Sequence, residues 1–472
     1  MAAPRTIANR RRAPGYPSVS STLDKFSDSP GESRSGMLLG ALTFGTIYAL
    51  GSLIFSVPAM SAVMGLAILV VICLRSALAA AGLLIVSMLF SPEIEVHDGI
   101  RLRAEDLIIP LLAVTLAARA CIPRYRVRFR TGPLDGRIGV LLIVNAMASV
   151  YGVVGGYVTP VSAVLWNAKT LELLMIYWLT FNYVRDPKTI KRLVSLAFFV
   201  LLGITAYTLL QIPQTEIHTG HRLTAPFEGN PEPTTLGGYL TLLLAIVMAM
   251  AIYESDQRKR IAWMGLCVLV MLPILFTLSR TTYAMCTVMI CLLGFMTKSY
   301  RLLIGALVIM LFSPWIMPQQ VIDRVLMTID PSRLYGIDPS SAERIMVWKK
   351  FLYGLRHSPL IGFGIPQPIL DNQYVRTMLE SGLAGLTAWG MIFWTCITMG
   401  RRLHRRSQNP FEKALAAGYV VGTAALLVHA LATITLYVVR IMEPFWFFTG
   451  LIASLDAMRA PSDSEAPHDA SR

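Results

Sequence analysis

The sequence predicts an all-α integral membrane protein that crosses the membrane about 12–14 times. Three observations carry that reading. Of 472 residues, 54% are hydrophobic and only 15% charged, and the mean hydropathy is +0.57. This is the composition of a multi-span membrane protein rather than of a soluble domain with a large core. Apolar runs close to the length of a bilayer's hydrocarbon core recur along the chain. Finally, the excess of 42 Lys+Arg over 28 Asp+Glu is unevenly shared among the segments between those runs. In a soluble protein such an excess points to nucleic acid. Here positive residues gather in cytoplasmic loops and set orientation, and no nucleic-acid partner is expected.

Residues 1–36 are polar and rich in Ser, Pro and Gly, and read as a disordered cytoplasmic tail. The apolar segment after them is too long for a signal-peptide core and has no clear cleavage site, so it reads as a retained first span. The N-terminal membrane region, 37–317, holds eleven expected spans: 37–56, 58–74, 76–91, 104–120, 137–157, 162–183, 189–211, 235–253, 261–278, 281–297 and 301–317. Residues 318–372 form the longest non-spanning segment. The C-terminal membrane region, 373–458, adds spans at 373–399, 414–438 and 441–458, and 459–472 is a second tail. With the N-terminus in the cytoplasm, cytoplasmic segments hold 29 of the 42 Lys and Arg residues and the outer side 12, with Lys169 inside a span. The asymmetry places both termini in the cytoplasm and the 212–234 and 318–372 loops outside.

Within the long loop, Ile345, Trp348, Leu352 and Leu355 recur at helical spacing, interleaved with Lys349, Lys350 and Arg356. The pattern predicts an amphipathic helix, either lying on the membrane surface or packed as an ordinary loop helix. Ser340 and Glu343 have the spacing of a capping box at its start. A Pro-Gly-rich turn follows, and Asp371-Asn372 stands where the next apolar span begins.

Four residues on the outer side form the candidate constellation: Arg222, Arg280, Arg344 and Asp371. Arginine forks match phosphate oxygens and stabilise charge building on a leaving phosphate. A carboxylate nearby takes a proton from an attacking hydroxyl. Plainer roles compete: an outer arginine often anchors at headgroups, and Asp371 has the chemistry of a helix N-cap. Arg280 is harder to dismiss, because it sits in a very short turn between spans, where charge is expensive. Lys169 and Glu172, three apart, and Arg376 and Glu380, four apart, read as intrahelical pairs, with Glu380 alternatively facing the site. His218 and His221 lack a third ligand at suitable spacing, so no metal site is expected. Glu93, Glu95 and Asp98 read as a solvated turn. The six cysteines fall in spans or cytoplasmic turns and suggest neither disulfides nor zinc. The absence of a Walker A sequence, a dinucleotide fingerprint and a nucleophile elbow leaves no cofactor implied.

Three segments, HRLTAPFEGNPEPTTLGGYL (221–240), TLSRTTYAM (277–285) and SAERIMVWKKF through HSPLIGFG to DNQYVRTMLESGLAGL (341–386), together resemble the O-antigen ligase and O-antigen polymerase superfamily of bacterial envelope glycosyltransferases. The resemblance implies a metal-independent transferase with a glycosyltransferase-C-like fold, acting on glycans carried by undecaprenyl diphosphate. Arg280 and Arg344 match family arginines that engage the diphosphate, and Arg222 matches the arginine before a Phe-x-x-Asn-Pro-like segment. Ligases of the superfamily typically carry His-Asn before the late span. Here the pair is Asp371-Asn372, followed by Tyr374, and Asp-Asn-x-Tyr is familiar from the polymerase branch. A histidine-base mechanism therefore does not carry over. The expected function is polymerisation of lipid-linked repeat units outside the bacterial cytoplasmic membrane, with Asp371, Arg280 and Arg344 catalytic and Arg222, Asn372, Tyr374 and Glu380 binding substrate. Membrane lipids, a chain-length regulator and a flippase are the further partners implied by analogy. The alternatives are a ligase of the same superfamily and a lipid-linked oligosaccharide transporter, which should place its key charges deep in a central cavity.

Overall fold

A computed structural model describes residues 57–90, 94–97, 100–123, 128–215, 222–226, 232–316, 318–326, 339–368 and 370–459. Both tails (the second from residue 460), the first expected span, His218, His221, Glu93 and Asp98 lie outside them. Two compact units are distinguished, Met1–Val71 and Ile72–Arg472. Of the first, only the start of helix α1 (Val57–Arg75) is described.

Among the described residues the regular structure of the second unit is helical apart from one antiparallel ribbon, β1 (Ile94–His97) and β2 (Ile100–Leu102), which pairs Glu95 with Arg101 in the turn expected to be simply solvated. The helices are α2 (Ala77–Phe90), α3 (Ala104–Cys121), α4 (Asp135–Val154), α5 (Pro160–Tyr183), α6 (Pro187–Gln211), α7 (Pro233–Tyr253), α8 (Gln257–Phe276), α9 (Arg280–Thr297), α10 (Tyr300–Ile316), α11 (Gln319–Leu326), α12 (Pro339–Gly354), α13 (Gln373–Arg406), α14 (Pro410–His429) and α15 (Val439–Met458). Seven of them, α4, α6–α9, α13 and α14, are long and apolar enough to cross a membrane. The other expected spans that are described also form helices. α3 misses the criterion through its Glu105, Asp106 and Arg119, and α10, at 17 residues, through its length.

Several helix starts are marked by a cap. Thr159-Pro160, Asp186-Pro187 and Asn409-Pro410 open α5, α6 and α14, each with a side-chain oxygen accepting a first-turn amide and a proline at N1. Asp256 and Ser279 cap α8 and α9. α7 sits at the centre, buried almost along its length against α14, α8, α9 and α15. Much of α4 and α8 instead presents Ile143, Met147, Val150, Ile261, Met264 and Val268 outward, as expected where the neighbour is lipid.

Two boundaries differ from the sequence reading. The span expected over 414–438 ends at His429, and residues 430–438 instead carry a 3-10 turn at Thr435–Tyr437. The β-branched run Thr433-Ile434-Thr435 disfavours helix there. α12 begins at Pro339, so Ser340 stands inside its first turn and does not cap it. The inner face of α12 is Val347, Trp348 and Phe351, packed on Leu370, Val375 and Leu379, with Leu355 buried just beyond. Ile345 and Leu352, expected on that same face, are exposed. The helix is docked on α13.

Candidate functional site

The site is built around the start of α13. Asn372 is its N-cap: its Oδ1 accepts from the amides of Tyr374 (2.9 Å) and Val375 (3.1 Å). Capping is therefore done by Asn372, and Asp371 is released from that role. The Asp371 Oδ2 instead forms an ion pair with Arg344, 2.8 Å from its Nε, with the two side chains 47% and 35% exposed. The two catalytic candidates farthest apart in role are thus in direct contact, brought together because α12 docks on α13. None of the described residues accepts from the Nη groups of Arg344.

Arg222 and Arg280 are not in that pair. Arg222 is half-buried beside the buried Leu223, in a segment tied to α6 by Thr224 N donating to Gln211 Oε1 at 3.0 Å. Arg280 is the first residue of α9, next to its cap Ser279. A series of polar contacts runs from that cap toward Gln373, two residues past Asp371. Ser279 Oγ lies 3.2 Å from Thr234 Oγ1, and the Thr234 carbonyl is 3.1 Å from His429 Nε2. His429 Nδ1 meets Thr435 Oγ1 at 2.9 Å. Gln373 then joins α13 to this corner, donating its amide to Ala430 O (2.9 Å) and accepting from Leu436 N (3.0 Å). The starts of α7, α9, α13 and α15 and the end of α14 therefore meet at one end of the bundle, with Asp371 at its surface.

Tyr374 and Glu380 have internal partners. The Tyr374 hydroxyl donates to Leu427 O at 2.7 Å. The Glu380 carboxylate, 1% exposed, accepts from Arg376 Nε (2.8 Å), the Tyr437 hydroxyl (2.6 Å) and the Gln367 amide (3.4 Å). Arg376 is fully buried, its guanidinium 4.2 Å from the Tyr437 ring centroid and 5.0 Å from that of Trp166. These faces meet the charge that its two unbonded Nη atoms leave uncompensated. The expected i,i+4 pair is present, and it faces inward.

Sequence reasoning missed the break in α13. Ser381 and Gly382 leave helical geometry, Gly382 with φ +63°. The loop segment 358–364, an irregular stretch of chain, inserts there. Phe363 N and Gly364 N donate to the carbonyls of Leu379 (2.7 Å) and Glu380 (3.0 Å), and Leu383 N and Ala384 N donate to those of Pro359 (2.9 Å) and Leu360 (3.1 Å). Each backbone group orphaned by the break finds a partner, as burial demands. The signal in the sequence was the Ser-Gly pair within an otherwise helical run.

A second, partly buried cluster was only half expected. Lys169 pairs with Glu172 at 2.9 Å as its spacing suggested, and also with Asp106 of α3 at 2.5 Å. Glu443 of α15 and Glu105 of α3 are each fully buried, with no hydrogen-bond donor to any of their four carboxylate oxygens, and Arg103 lies 3.6 Å from Glu105.

An apolar cavity of about 250 Å³ opens beside Asp371's helix. It runs from Gln373, Tyr374 and Thr377 past Trp389 and Phe393 to Ile397, and no charged side chain lines it.

Scanned against models of known protein families and searched against curated proteins, the chain finds no match in either.

Proposed function

We propose that the chain is a polysaccharide polymerase that joins undecaprenyl-diphosphate-linked repeat units at the outer face of a bacterial cytoplasmic membrane. The observation that carries the reading is the half-exposed Arg344–Asp371 pair at the bundle end, where the cavity along α13 also begins. A substrate with a long apolar tail, an anionic diphosphate and a polar glycan has its three parts in that order. So does the site: apolar groove, arginine, open end.

In the proposed reaction a sugar hydroxyl of one lipid-linked unit attacks the anomeric carbon of a second lipid-linked chain. The new C–O bond forms as the bond from that carbon to the diphosphate oxygen breaks, and the diphosphate leaves with the electron pair. Asp371 accepts the hydroxyl proton. Arg344, through its Nη groups, and Arg280 meet the charge developing on the diphosphate, and Arg222 positions it. The contact with Arg344 keeps the Asp371 carboxylate aimed. Tethering both substrates in one membrane raises their effective concentration. By their contacts, Asn372, Tyr374 and Glu380 serve this site by holding α13 in place.

The reading is tested by supplying purified protein with one defined undecaprenyl-diphosphate repeat unit beside an Arg280→Ala control. A ladder of longer lipid-linked glycans, absent in the control, is expected. One observation favours a transporter instead: the carboxylates of Glu105 and Glu443 are fully buried inside the bundle. Transport of the same lipid across vesicles without any new glycosidic bond would establish that alternative.

A further inference from the structure

The bundle end opposite Asp371 carries a cleft that the proposed reaction does not use. It has a volume of about 590 Å³ and lies between α6, α7, α8 and the start of α14. Its walls are held apart and in register by Phe198 and Trp263, whose rings meet edge to face at 5.1 Å.

Polarity changes along its depth. At the mouth stand Lys191 in the first turn of α6 and Lys259 in the first turn of α8, with Ser195, Tyr253 and Glu254. Lys191 is exposed. Lys259 is 69% exposed and forms only a long, open ion pair with Asp256 at 3.8 Å, one that a phosphate can compete with. Below the mouth the lining is Phe198, Leu202, Trp263, Leu266 and Leu269. From Lys191 to Leu202 is eleven residues and from Lys259 to Leu269 ten, ~15–16 Å of helix. That is half the ~30 Å hydrocarbon thickness, the depth of one leaflet. The volume holds on the order of twenty groups of roughly 30 Å³ each, enough for a phosphate head and the upper part of a chain. The cavity along α13 makes a contrast, since no lysine lines it.

We infer that this cleft is a binding site for one anionic diacyl phospholipid of the leaflet opposite the Asp371 end, with its phosphate between Lys191 and Lys259 and an acyl chain against Phe198 and Leu202. Basic pockets between transmembrane helices select anionic headgroups, each lysine near the surface contributing a preference of roughly fivefold. The Glu254 carboxylate at the same mouth adds selection against a second negative charge close to the phosphate. The inference stands apart from the polymerase reading, because neither lysine touches the Asp371 end.

The test is native mass spectrometry of the full chain released from micelles containing equal phosphatidylglycerol and phosphatidylcholine of matched chains. Wild type is expected to retain phosphatidylglycerol in preference, and Lys191→Ala/Lys259→Ala to lose that preference by roughly twenty-five-fold. Leu202→Trp, which fills the deep part, should reduce retention of both lipids while Lys191 and Lys259 remain. Equal retention of the two lipids by wild type, or an unchanged preference in the double variant, would overturn the site. Displacement of the lipid by excess soluble glycerol phosphate would overturn the lipid assignment in favour of a free phosphate ligand. Both lysines are on the surface, so the double variant is expected to fold, and an unaltered melting temperature checks this.

Discussion

Replacing Asp371 by Asn, or Arg344 by Ala, separates chemistry from scaffolding more cleanly than any other change in this molecule. The two side chains are 47% and 35% exposed and touch at 2.8 Å. An ion pair this open to water contributes about 0–1 kcal/mol to stability, less in salt. Neither side chain caps α13, since Asn372 does, and the packing of α12 on α13 runs through Val347, Trp348 and Phe351. Asp371→Asn and Arg344→Ala should therefore each shift the melting temperature in detergent by less than about 3 °C.

The effect on turnover should be of a different order. Loss of a positioned general base typically costs about 100- to 10,000-fold. Removal of one donor to a developing oxyanion costs roughly 100- to 1,000-fold. Groups that act together are not additive, so the double variant should be little worse than the poorer single one. Arg344→Lys keeps the charge without the fork and should fall between. The assay is initial rate of glycan elongation on a defined lipid-linked unit, read beside the melting curve. A stable, fully active Asp371→Asn protein would falsify the base role. Activity lost only in step with melting temperature would mean that the pair is structural.

Four further outcomes follow from other positions in the fold. Lys169→Met leaves Asp106 and Glu172 facing each other largely dry, and should cost about 3 kcal/mol; an unchanged melting temperature would refute the pairing. Glu443→Gln removes a carboxylate with no donor to either oxygen, and should leave stability equal or raised; a loss above ~1 kcal/mol in a denaturation series would mean that the charge is compensated. Gly382→Ala puts a Cβ 2.3 Å from the carbonyl of Leu360 at φ +63° and should lower both melting temperature and turnover, whereas full activity would show the 358–364 segment to be dispensable. The Asp186 carboxyl, which caps α6, is held below its usual range by the hydrogen bond it shares with Thr189. Its contribution is therefore complete above the unfolded value of about 3.9 and fades as pH falls through the lower folded value, so the stability gap between wild type and Asp186→Ala should close below pH ~4.

The helices were legible because each leaves a local signature, an apolar run opened by a cap such as Asp186-Pro187 or Asn409-Pro410. Pairs at helical spacing were legible for the same reason, as Lys169–Glu172 and Arg376–Glu380 demonstrate. Their environment was not. That Asp106 joins Lys169 from 63 residues away, or that Tyr437 and Trp166 enclose Arg376, depends on which helices become neighbours. Among the candidate residues, spacing could not choose between Asp371 and Asn372 as the cap, since both have the chemistry. The choice is made by Arg344, which reaches Asp371 only because α12 lies on α13.

The break in α13 ties these observations together. An uninterrupted helix would satisfy its own backbone, and the 358–364 segment would have nothing to bond. With Ser381 and Gly382 out of helical geometry, four backbone hydrogen bonds fasten the segment to both sides of the break. The segment also crosses α4 at Gly364 and Gly152, where a side chain on either would strike the other's backbone. Leu355, at the end of the α12 segment, is buried just before that stretch. The position of Arg344 is thus fixed from its C-terminal side by a helix break eleven residues past Asp371, and Asp371 by the capped start of the same helix. The buried Arg376–Glu380–Tyr437 cluster lies between those two points. Its removal should loosen Arg344 and Asp371 together without touching either. Glu380→Gln should therefore lower turnover with little change in apparent substrate affinity, as misplacement of a preorganised pair requires. A rise in KM at constant kcat would instead place Glu380 in contact with substrate.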